Sequence, residues 1–85
     1  MISYIVACEY INGIKSYITN VDPLLWSKDI TVAKKFHSKD DMINDLRFDI
    51  ETLYTMKNNY DYISNIVYMK FDEEGNYIYT KRLLK

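Results

Sequence analysis

Two glycines in 85 residues constrain this chain more than any other feature, because each stands at a bend between apolar runs. Gly13 follows Asn12, with residues 2–10 before the pair and residues 14–19 after it. Asn-Gly between β-branched and aromatic runs signals a hairpin, since a tight two-residue turn needs positive φ. Such a loop would pair Ile11 with Ile14, Cys8 with Tyr17 and Ala7 with Ile18. One face then holds Ile5, Ala7, Ile11, Ile14 and Ile18, and the other Tyr4, Val6, Cys8, Tyr10 and Tyr17. Both faces are apolar enough to be buried, so periodicity leaves the choice between them open. Gly75 closes Asp72-Glu73-Glu74-Gly75, which suits a type I turn with a bulge and joins residues 62–71 to residues 76–84. In that register Phe71 opposes Tyr77, Met69 opposes Tyr79 and Val67 opposes Lys81, and this is the expected core face.

The stretch between the hairpins reads as helical. Ser27 has the character of an N-cap, with Asp29 in the first turn where the helix dipole favours an anion. It would start a helix of about two turns carrying Ile30 and Ala33, with Phe36 entering the core at its end. Ser38-Lys39-Asp40-Asp41 is a capping-box variant with Asp in place of the usual Glu, and it starts a main helix over residues 39–57. Ile43, Leu46, Ile50, Leu53 and Tyr54 fall on one arc of that helix at a 3.6 period, Met42 lies at its edge, and Phe48 lies nearly opposite. The order β-β-α-α-β-β predicts one α+β domain over residues 1–85. Its antiparallel sheet has about four strands, and one long and one short helix pack on one face.

Residues 14–17, Ile-Lys-Ser-Tyr, precede Trp26-x-x-Asp29-Ile30-x-x-Ala33-Lys34-Lys35-Phe36-x-Ser38-Lys39-Asp40-Asp41. Over about residues 2–46 this pattern resembles small accessory proteins of phages and mobile elements from low-GC Gram-positive hosts. The resemblance implies a small binding protein of host-takeover or anti-defence type, in some cases one that neutralises a host enzyme or defence system. Phe, Tyr, Met, Ile, Asn and Lys, all with AT-rich codons, make up half of the chain and fit such a genome.

Composition argues against several kinds of chemistry. Net charge is −1, from 11 basic and 12 acidic residues, with no basic stripe of the kind that counterion-driven nucleic-acid binding uses. The one cysteine, Cys8, has no internal disulfide partner, which suits a reducing, cytoplasmic setting, and the resemblance implies that of a bacterial host cell. No apolar run is long enough to span a bilayer, and the N-terminal segment, with Glu9 and no basic start, does not read as a signal peptide. A lone His37 and a lone Cys8 give neither a nucleophile–base pair nor a zinc ligand set, so no enzyme activity, cofactor or metal is expected. Asp40, Asp41, Asp45 and Asp49 line one side of the predicted helix, where they read as a solvated acidic face or as an imitation of nucleic-acid phosphates.

Nine tyrosines exceed what one small core needs. Tyrosine brings large contact area at low entropy cost, so aromatic and acidic surface positions are the expected partner contacts. These are Phe48, Asp41, Asp45, Asp49, Tyr60, Tyr62, Glu73 and Glu74. The expected function is non-enzymatic binding that inhibits or redirects a host protein, with a homodimer as another use of the same surface. The alternative is a nucleic-acid or nucleotide-ligand module built on tyrosine-rich sheet faces.

Overall fold

Five antiparallel strands form one sheet in a computed structural model that describes residues 1–85. The strands are β1 (Ser3–Tyr10), β2 (Lys15–Asn20), β3 (Leu25–Ser27), β4 (Ile63–Phe71) and β5 (Tyr77–Arg82), and the helices are α1 (Lys39–Leu46) and α2 (Ile50–Asn59). Spatial order is β3-β2-β1-β4-β5, so the hairpins meet along β1 and β4. The class is α+β, as the sequence predicts. Met42, Leu46 and Leu53 from the helices join Tyr4, Val6, Cys8, Ile18, Ile66 and Tyr68 from the sheet in one buried cluster.

Both glycine turns take the same form. Gly13 N–H donates to the Tyr10 carbonyl at 2.9 Å and Gly75 N–H to that of Asp72 at 3.1 Å, with φ of 86° and 84° at the glycines. Asn12 does not have positive φ, so the expected two-residue loop is replaced by a three-residue turn with a bulge. The register slides by one: Ala7 pairs with Tyr17 and Cys8 with Ser16. Ile18 thereby joins the Tyr4, Val6 and Cys8 face, which is the one the helices cover. At the other turn the Asp72 carboxylate accepts from the N–H of Asn76 at 2.8 Å and of Glu74 at 2.9 Å. Those bonds, that from Asn76 first, hold its pKa below the usual carboxylate value.

The second hairpin departs from expectation beyond its turn. Phe71 does pair with Tyr77, but the register then shifts, so Lys70 meets Tyr79, Met69 meets Thr80 and Tyr68 meets Lys81. Ile78 is the residue skipped. This bulge moves Tyr79 and Lys81 off the Met69 side and onto the face of Tyr68 and Lys70. The expected core face of Val67, Met69 and Phe71 is therefore the one away from the helices.

The middle of the chain also differs. Residues 30–32 form a single 3-10 turn capped by Asp29, whose Oδ1 accepts from the Thr31 N–H at 2.9 Å and from the Thr31 hydroxyl at 2.6 Å. Ile30-Thr31-Val32 is a β-branched run, a poor helix former, and sheet bonds capture the chain directly after it. Lys34 N–H donates to the Ile18 carbonyl at 2.8 Å, and Phe36 and Tyr4 exchange bonds of 2.7 and 2.9 Å. Residues 34–36 thus tie β2 to β1 where their own pairing has ended. Ser27, expected as a helix N-cap, belongs with Trp26 to the additional strand β3, in which Trp26 lies opposite Ile18.

The expected long helix is two. Ser38 caps α1, its hydroxyl accepting from the Asp41 N–H at 3.0 Å, but the helix stops at Leu46 and the chain turns through residues 47–49 before α2. Asp49 explains the break. It is buried, and its Oδ2 accepts from the backbone N–H of Asp22 at 3.0 Å, in a loop where Asp22 has φ of 46°. A carboxylate diverted to a loop N–H favours a turn over a continuing helix. The inward face of α1 becomes Met42 and Leu46, while Ile43, expected in the core, is 52% exposed.

Candidate binding surfaces

The break between the helices shapes the first surface. Phe48 is carried in the inter-helix turn and is 68% exposed, with the Arg47 guanidinium 4.4 Å from its ring centroid. From there a shallow depression of about 420 Å³ follows the outer side of α2 past Glu51, Thr52, Thr55 and Met56 to Tyr60. Steps of three and four residues put these side chains on one stripe. Tyr60 stacks on Tyr62 with centroids 5.3 Å apart, and Tyr62 stacks on Tyr10 of β1 at 6.0 Å. Phe48, Tyr60 and Tyr62, expected as contact residues, are thus exposed and belong to one strip.

The acidic candidates are not brought together. Asp41 is exposed and Asp45 half-buried on α1, whereas Asp49 is buried and serves the Asp22 loop. Its assignment as a partner contact is corrected on that ground: its carboxylate is turned inward and already bonded. The helix break also ends the single acidic row from residue 40 to residue 49. Glu73 and Glu74 are exposed on the β4–β5 turn, at the Ser3–Phe71 end of the sheet, while Tyr60 and Tyr62 adjoin its Tyr10–Ile63 end.

A second surface has no counterpart among the expected sites. Across β1, β4 and β5 the register sets Tyr4 beside Lys70 beside Tyr79, and in a second row Val6 beside Tyr68 beside Lys81. Phe36, paired with Tyr4, extends the first row. Aromatic and basic side chains therefore alternate on the helix side of the sheet. Lys70 Nζ lies 5.7 Å from the Tyr4 centroid and 5.6 Å from that of Tyr79; Lys81 lies 4.7 Å from Tyr79. Lys39, from the first turn of α1, lies 5.5 Å from the Tyr68 centroid, and Lys34 lies 5.5 Å from Phe36. All are at cation–π distance.

Phe36, Tyr4 and Tyr68 are buried, so the ammonium groups form a layer above a floor of rings. None of these four lysines is ion-paired; the one ion pair of the molecule joins Lys15 to Glu9 at 3.7 Å in the first hairpin. The Tyr68 phenol beside it raises the pKa of Lys39, through its hydroxyl first and its electrostatic attraction second. Sequence reasoning missed this cluster because its lysines are scattered over residues 34–81. The Ile78 bulge that aligns Tyr79 and Lys81 with Lys70 leaves no local signal.

The reactive residues lie in different surroundings. Cys8 is fully buried in the core, and burial pushes its thiol pKa up, away from the reactive thiolate form. His37 is exposed and borders a surface depression of about 380 Å³ with Lys35, Ser3 and the Asp72–Gly75 turn. No group of three His, Cys, Asp or Glu side chains is placed to hold a metal ion, and no helix is long and apolar enough to cross a membrane. No protein-family model, curated protein or solved structure matches this chain.

Proposed function

We propose that this chain is a non-enzymatic binding protein that docks on another protein along the outer side of α2, and that it acts as a phage-type accessory protein on a host target. The observation that carries the docking reading is the Phe48–Tyr60–Tyr62 strip, an exposed aromatic run with an arginine at one end. Tyrosine and arginine are enriched where interfaces concentrate their energy. Glu51 is the only charged residue lining the depression, so the fitting partner surface is apolar with one basic side chain. The host setting rests on the resemblance over about residues 2–46.

The test is quantitative affinity capture from a low-GC Gram-positive lysate with wild type and a Phe48→Ala/Tyr60→Ala double variant. A specific protein retained by wild type and lost by the folded variant is expected. A captured set that is the same for both, or no specific protein at all, would sink the reading. A Cys8→Ala/His37→Ala variant is expected to capture as wild type does.

A further inference from the structure

We propose that the lysine–tyrosine lattice of Lys39, Lys70 and Lys81 over Tyr4, Tyr68 and Tyr79 is a binding site for an oligophosphate group, as carried by a nucleotide or a nucleic-acid strand. The charge pattern selects this chemistry. Three ammonium groups from α1, β4 and β5 converge on adjoining rings, with Lys34 beyond them over Phe36, in a molecule whose net charge is −1. Carboxylate recognition favours the planar fork of arginine, whereas spread lysine ammoniums act as point charges towards phosphate oxygens. Charges distributed over two sheet rows and a helix start require a ligand with several negative groups rather than one.

The floor of rings adds to the attraction. Lysine stems lying on apolar rings are already ordered, which lowers the entropy cost of placing their ammonium groups. A low-dielectric surface beneath a charge also strengthens its pull on an approaching anion. Asp40 and Asp41, in the same helical turn as Lys39, are the opposing charges, yet neither pairs with a lysine of the lattice. The site is separate from the α2 strip, so either can fail without the other.

The test is an amide NMR titration of the whole chain with sodium tripolyphosphate at low salt. Saturable shifts are expected at Lys39, Tyr68, Lys70, Tyr79 and Lys81. Lys70→Met and Lys81→Met keep an apolar stem over the rings and remove one charge; each should weaken binding about tenfold while leaving the melting temperature in place. Lys28→Met, an exposed lysine outside the lattice, should bind as wild type does. Absence of saturable shifts overturns the proposal, and so does equal weakening by Lys28→Met, which would mean attraction to overall charge alone. Parallel titrations with ATP and a dT oligonucleotide separate the sources. The tighter of the two names the phosphate carrier, and a strand would also show steep salt dependence that each lattice variant reduces.

Discussion

Two groups of three tyrosines occupy opposite ends of the central strands, and only one of them is paved with cations. Tyr10, Tyr60 and Tyr62 stack with rings tilted by 27° and 30°, and Tyr60 and Tyr62 are exposed. Tyr4, Tyr68 and Tyr79 meet at steeper angles of 54° and 76°, the first two are buried, and lysines cover their rings. The residue type is the same at both ends, so its surroundings decide what it does. At the Tyr62 end the rings are bare contact area; at the Tyr68 end they are a floor that holds ammonium groups. Counting tyrosines in a sequence cannot separate these uses.

Stability is where the contrast should be largest. Tyr68→Ala removes a ring from the core and is expected to cost about 3–5 kcal/mol, a large share of what a small domain has. Tyr62→Ala, at 52% exposed, should cost about 0.5 kcal/mol or less. Urea denaturation of the two variants measures both. Similar losses would break the comparison, because they would make the Tyr62 stack a second core.

Asp49→Ala tests what holds the exposed strip in place. The variant leaves the Asp22 N–H without its partner at the turn that carries Phe48, and about 1–3 kcal/mol should be lost. Asp49→Asn keeps an acceptor and should lose less. If Asp49→Ala is neutral in denaturation, the helix break has another cause.

These residues also show how far the sequence could be read. Hairpins at Gly13 and Gly75, the Ser38 cap and the α+β class were legible because turns and caps are local, each set by a few adjacent residues. Register was not. Asn12 without positive φ and the skipped Ile78 each shift a strand by one position, and a shift of one exchanges its faces. The helix break was hidden for a different reason: Asp49 bonds to Asp22, 27 residues away, and nothing near residue 49 announces it. Phe48, Tyr60 and Tyr62 were legible as surface because they fall off the apolar arc or just past the helix end. The lysine lattice was not, since it exists only once three strands and α1 are aligned.

Alkaline pH gives the smallest and most local test of the contrast. The Tyr68 hydroxyl, and after it electrostatic attraction to Tyr68, Tyr79 and Tyr4, raise the Lys39 pKa above its ordinary 10.5. A lysine that binds its proton more tightly in the folded state stabilises that state. The contribution is full below 10.5 and disappears as pH rises through the raised value. Because Lys39 is exposed, solvent screens the interaction, and the effect on global stability is slight. The direct measure is NMR titration of the Lys39 side chain. Tyr68→Phe removes the hydroxyl and should return the pKa towards 10.5, while Tyr79→Phe should lower it by less, in the order of their contributions. Tyr62→Phe, at the uncharged end, should leave it where it is. A Lys39 pKa unmoved by Tyr68→Phe would detach the ammonium from its phenol, leaving the lattice as stems lying on rings without electrostatic coupling.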